Sequence, residues 1–135
     1  MAIFLSNGVV AVLNSVDLSD HLTSATINRV FDELEVTAMG DTAHKFVKGL
    51  EASTITLDFL NDTAAGEVLA TLQAAWGTTV ALTLQQTSAA TSATNPLYST
   101  TVLINNTTDI NGAVGDISTQ SLSLTCNSPI VITTS

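Results

Sequence analysis

Few residues in this chain could carry covalent or ligand chemistry. The two histidines are His21 and His44, and the lone cysteine is Cys126. A histidine next to a serine and a carboxylate can act as a general base, and His with Cys or Asp can hold a metal. Neither histidine sits in an H-x-x-x-H or H-x-H spacing. No G-x-S-x-G elbow is present, and no glycine run makes a phosphate loop. Asp17 and Asp20 flank Ser19 and could hold a divalent cation, but a turn with Asx bonding accounts for that spacing better. Cys126 continues the period-two series of Leu122 and Leu124, which makes it a small core hydrophobe. These residues point to no enzymatic activity, no cofactor and no metal.

One segment is chemically uneven. Between Gly40 and Gly49 runs Asp41-Thr42-Ala43-His44-Lys45-Phe46-Val47-Lys48. It holds two of the chain's three basic residues, against a formal net charge of −9. A solvated hairpin connection would explain the lysines. Phe46 and Val47 are not explained that way, because apolar residues exposed on a loop need a partner surface. An aromatic, an aliphatic and cationic groups together suit docking on an acidic copy of the same chain, with charge setting register. The expectation is an inter-subunit loop over residues 40–50, made by Asp41, Thr42, His44, Lys45, Phe46, Val47 and Lys48.

The totals bound what can present that loop. The 135 residues suit one domain, 1–135, with a single core. Charged residues are only 11%, well below the usual quarter or so. Ser and Thr supply the polarity, and Thr suits strand surfaces. A surface this poor in charge is expected where copies of the chain cover one another. A Thr-rich sandwich that simply lacks charge is the plainer alternative. Three basic residues cannot make a nucleic-acid stripe. A single cysteine forms no intrachain disulfide, which favours a reducing compartment. The apolar N-terminus, residues 1–15, has no Lys or Arg before its apolar run, and Ser6, Asn7 and Gly8 interrupt that run, so it reads as no signal peptide.

Periodicity supplies the elements. Strands are predicted at 8–13, along 22–38 with a parity switch at Asp32 and Glu33 that calls for a bulge or turn, at 53–60, 79–87, 97–105 and 116–126, and after Pro129. Asn111-Gly112 signals a type I′ hairpin. One helix is predicted at about 63–76, capped by Asp62 or Thr63 and stopped by Gly77, with Val68, Leu69, Leu72 and Trp76 as core anchors. The expected fold is mainly β: a sandwich or barrel of about seven or eight strands with one flanking helix.

The order of these features resembles the major tail tube proteins of long-tailed bacteriophages. The likeness lies in "DLSDHL" (17–22), "VTAMGDTAHKFVKGL" (36–50), "STITLDF" (53–59), the following helix and "VGDISTQSLSLT" (114–125). It implies a β-sandwich that forms hexameric rings, stacked into a tube whose acidic lumen conducts double-stranded DNA during ejection. The 40–50 loop would reach the next ring. The lumen-facing acids would be Asp58 foremost, then Glu33 and Glu35. Implied partners are further copies of the chain, a tape measure protein, and tail terminator and baseplate proteins, with genomic DNA passing unbound and no membrane involved. The implied location is the virion tail, assembled in the host cytoplasm. By that likeness the chain would be a short, near-minimal tube subunit without an added C-terminal domain. A capsid decoration protein or a head–tail terminator ring is the nearest alternative. A β-sandwich adhesion or carbohydrate-binding module is the more distant one; with Trp76 spent in the core, it would lack an aromatic platform.

Overall fold

Residues Thr54–Leu60 alternate cleanly, and the structure uses both faces of that alternation. In the computed structural model, which describes residues 8–134, Ile55, Leu57 and Phe59 are buried while Thr56 is exposed. The described chain is mainly β, with ten strands and one α-helix. The strands are β1 (Val10–Leu13), β2 (Val16–Asp17), β3 (Leu22–Asn28), β4 (Phe31–Glu35), β5 (Phe46–Glu51), β6 (Thr54–Leu60), β7 (Thr79–Gln85), β8 (Leu97–Leu103), β9 (Thr119–Cys126) and β10 (Val131–Thr133). The helix, α1, covers Val68–Ala75. Residues 1–7 of the apolar N-terminus lie outside the described residues. No helix among the described residues is long and apolar enough to cross a membrane.

All pairings are antiparallel, in the order β2-β1-β7-β8-β9-β6-β3, with β10 on β8. β9 joins β8 only at Val102–Cys126 and Leu103–Thr125. It then runs the whole length of β6, from Thr54–Thr125 to Leu60–Thr119. The sheet therefore doubles over at β8 and β9 into two layers, as in a β-sandwich. Leu13, Leu82 and Val102 from one layer meet Leu57, Phe59, Leu122 and Leu124 from the other in a single core. The outward face of β3, β6 and β9 carries Ser24, Thr26, Thr56, Asp58, Ser121 and Ser123.

The helix is shorter than periodicity implies. Gly66 takes a positive φ of 81°, a left-handed conformation that an α-helix cannot run through. Residues 61–67 form turns instead. Asp62 Oδ1 accepts from the Ala64 N–H at 2.9 Å, and the Asp62 carbonyl accepts from Leu69. Val68, Leu69 and Leu72 are buried in the core. Trp76 is not: the chain leaves helical geometry there, at ψ 126°, and the residue is 56% exposed. The stripe thus ends one turn earlier than the spacing suggests. Gly77 supplies the left-handed stop, φ 77°.

Two further expectations change. The alternating run 22–38 is not one strand. β3 ends at Asn28 in the main sheet, and β4 starts at Phe31 in a separate two-stranded sheet with β5. The bulge predicted near Asp32 exists, but its extra residue lies on the partner strand. Phe31 pairs with Glu51 and Glu33 with Lys48, so Gly49 and Leu50 together oppose Asp32. Asn111-Gly112 makes no hairpin turn. The turn falls at Ala113–Asp116, with Gly115 at φ 86°, while the Asn111 side chain donates to Thr119.

Candidate self-assembly surface

The predicted inter-subunit loop is half strand. Phe46, Val47 and Lys48 belong to β5, and only Asp41, Thr42, His44 and Lys45 lie in the connection. β4, β5 and their connection form an arm whose substantial contacts are within itself. Its base is pinned to the body. The Ala52 N–H donates to the Val30 carbonyl at 2.7 Å, and Glu51 Oε2 accepts from Ser53 Oγ and from the Ile130 N–H at 2.9 Å. The Ile130 N–H chiefly, with Ser53 next, holds the Glu51 carboxyl below its ordinary range; the more distant charges of Arg29 and Lys48 act weakly in the same direction.

The tip is tied by its own polar groups. Asp41 accepts from the Ala38 N–H at 2.8 Å and pairs with Lys45 Nζ at 2.9 Å. The backbone bond first, then Lys45, lowers the Asp41 pKa. Glu35 accepts from Thr37 Oγ1 at 2.8 Å and meets His44 Nδ1 at 2.6 Å, and His44 is the larger cause of its lowered pKa. The Lys45 N–H donates to Thr37 Oγ1, and the Val36 N–H to the Lys45 carbonyl. Gly40, at φ 90°, lets the chain reverse.

Residues directly opposed in an antiparallel pair share a face. One face of the arm carries Phe31, Glu33, Glu35, Phe46 and Lys48. Its charges are largely engaged: Lys48 lies 5.7 Å over the Phe31 ring and opposite Glu33, and His44 meets both Glu35 and the Phe46 ring. The other face carries Asp32, Leu34 and Val47, continued by Val36. Asp32 makes no ion pair among the described residues. Phe31, Leu34, Val36, Met39, Phe46, Val47 and Leu50 are all exposed. A two-stranded ribbon with apolar groups open on both faces is marginal in water on its own.

The positive character expected of this segment does not survive folding. Asp32, Glu33, Glu35, Asp41 and Glu51 share the arm with Lys45 and Lys48, so the arm is net acidic. The distance in sequence between the two strands hid that balance. The three expected lumen acids also separate. Asp58 sits on the outer face of β6 between Ser24 and Ser121, whereas Glu33 and Glu35 are on the arm. Sequence reading gave no role to Arg29, at the base of the arm, and took Gly49 only as the end of the segment. The F-D-E-L-E-V alternation of 31–36 was the available signal for two half-apolar faces.

A second charged cluster ties the fold together. His21 Nδ1 is 3.0 Å from Asp20 and 3.4 Å from Glu67, and Nε2 is 2.9 Å from Asp62. Ligand atoms of Asp20, His21 and Glu67 fall within 4.8 Å of one another. Carboxylates face both ring nitrogens, which is the arrangement of an imidazolium donating twice. It joins the turn before β3 to the turns before α1. Asp17 accepts from the Ser19 N–H and hydroxyl, the Asx turn read from the sequence.

A scan against protein-family models finds no match to this chain, and a search of curated proteins finds none either.

Proposed function

We propose that this chain is a structural subunit that assembles with its own copies, as the ring-forming subunit of a virion tail tube. The observation that carries the reading is the arm: a pinned ribbon with a self-bonded tip and apolar groups open on both faces. Such a ribbon is stabilised by being covered, and a chain with 11% charged residues has other surface fit to be covered as well. The tail tube in particular rests on the sequence resemblance. A mainly β body with one short helix and a projecting arm supports it. In that setting the arm reaches the next ring, and the lumen repels a phosphate backbone through net negative charge, over a Debye length of about 8–10 Å. Asp58, the one acid on the outward Ser/Thr face of β3, β6 and β9, is the best lumen candidate. Further copies, a tape measure protein, and terminator and baseplate proteins are the partners that go with this reading, in the virion tail. Negative-stain microscopy and sedimentation of concentrated protein test it. Stacked rings with six-fold symmetry are expected; a monodisperse monomer at every concentration overturns it.

One observation favours a second reading, a saccharide-binding module. Trp76 is open to solvent beside Gln73, Thr107 and Asp109, around a shallow hollow. Asp109 Oδ1 accepts from Thr107 Oγ1 and Gln73 Nε2. An indole face next to a carboxylate and an amide suits a pyranose ring. Trp76 is the only tryptophan, so its fluorescence reports binding directly. A saturable change on adding neutral oligosaccharides supports this reading, and a flat titration rejects it.

A further inference from the structure

The body carries a groove that matches the less satisfied face of the arm. It lies between β3 and the ends of β1, β7, β8 and β10, with a volume of about 660 Å³. Leu22, Ala25, Ile27, Leu84, Tyr98 and Ile132 supply its apolar part, set among serine, threonine and glutamine side chains, and Arg29 is the only charged residue lining it among the described residues. β3 pairs with β6 on one side only, so the edge bordering the groove is unpaired among the described residues. Arg29 is exposed and makes no ion pair among them. Glu51 feels its charge from further away but is already engaged by Ser53 and Ile130.

The arm's Leu34–Val36–Val47 face has the complementary composition. It is an aliphatic strip with one free carboxylate, Asp32, at its base. On the opposite face Glu33 also makes no ion pair among the described residues, but Lys48 stands directly across from it and offsets its charge, whereas no cation stands across from Asp32. Among the other exposed apolar residues, Trp76 stands beside Asp109, and Ile110, Val114 and Ile117 are near neighbours of Asp109 and Asp116 along the chain. An acidic arm is repelled there and attracted to the groove.

We infer that the groove under β3 receives the Leu34–Val36–Val47 face of a second copy's arm, with Asp32 of that copy pairing with Arg29. The contact is head-to-tail: each copy uses its arm on one neighbour and its groove on another. Such contacts propagate into rings or open stacks rather than closing as a dimer. This rests on the self-assembly reading above.

Charge exchange tests it. Arg29→Asp, Asp32→Arg and the double variant are compared with the unaltered chain for assembly by sedimentation and for folding by circular dichroism. Both positions are exposed, so all four proteins should fold. Each single reversal should raise the concentration needed for assembly by about tenfold or more, and the double variant should recover most of that loss. Assembly indifferent to the single reversals, or folded single variants not rescued by the double, overturns the groove contact and leaves self-assembly standing. An unaltered chain that stays monomeric, with the groove free for a foreign ligand, overturns both.

Discussion

Gly49 faces Asp32 across the arm with no room for a side chain between them. A Cβ placed on Gly49 would lie 2.9 Å from both the Cβ and the carbonyl oxygen of Asp32, and 3.3 Å from Leu34 Cγ. The bulge brings them together, since Gly49 and Leu50 share one opposing residue. Only glycine fits without moving a strand.

Gly49→Ala should therefore loosen the arm while sparing the body. Overpacking against backbone costs about 1–3 kcal/mol, and the contact lies outside the core. The expected result is faster hydrogen exchange at the amides of β4 and β5, with the body's melting temperature nearly unchanged. Equal protection in both proteins would mean that the strands close without this contact.

Leu34→Ser with Val47→Ser should leave a folded subunit that does not assemble. Both side chains are about half exposed in the single chain, so the body loses little. Covering an aliphatic side chain contributes about 1–2 kcal/mol. Sedimentation should show monomers where the unaltered chain assembles. Lys45→Gln and Lys48→Gln should matter less to docking, because Lys45 is bound to Asp41 and Lys48 lies over Phe31. Assembly lost with the lysines but kept with the serines would reverse that ranking.

His21 should make stability depend on pH. Its pKa is raised, by Asp20 first, with burial opposing and Asp62 next. Asp20, Asp62 and Glu67 are the titratable groups facing it. A raised folded-state pKa stabilises fully below the unfolded value of about 6.5, and the gain is lost as pH rises through the folded value. Urea midpoints should fall as pH rises from about 6.5 upward, and His21→Gln should flatten that slope. An unchanged slope in the variant would remove His21 as the cause.

Leu72→Ala and Trp76→Ala should differ sharply, although both positions lie on one predicted stripe. Leu72 is fully buried and Trp76 is 56% exposed. A buried Leu→Ala change costs about 2–5 kcal/mol. Trp76→Ala should cost about 1 kcal/mol or less, because most of the indole already faces water. Denaturant unfolding of the two variants measures both.

The body was legible where one face of an element is buried along its whole length. Ile55, Leu57 and Phe59, or Leu122 and Leu124, alternate because each second residue meets the core, and a period of two survives in sequence. The helix was legible in its middle and not at its ends. Gly66 and the turn held by Asp62 decide where it starts, and the departure of the chain at Trp76 decides which residue the stripe loses. β4 was read as strand, within 22–38, but β5 was misread as part of a loop, because its partner is β4 and neither strand has a buried face to set a clean alternation.

By itself the sequence determined a β-rich chain with one helix, a nearly continuous apolar face on each body strand, and a low charge density that fits covered surfaces. Those are local properties, set by side-chain chemistry and period. The tertiary structure decided which charges meet. It folded the lysine segment against Asp32, Glu33 and Glu35, so that a basic stretch became part of an acidic arm. It set Asp58 on a different sheet from those acids, turned Trp76 outward, and placed Arg29 on a groove bounded by strands distant in sequence. Charge acts through space, and the pairing of strands sets those distances.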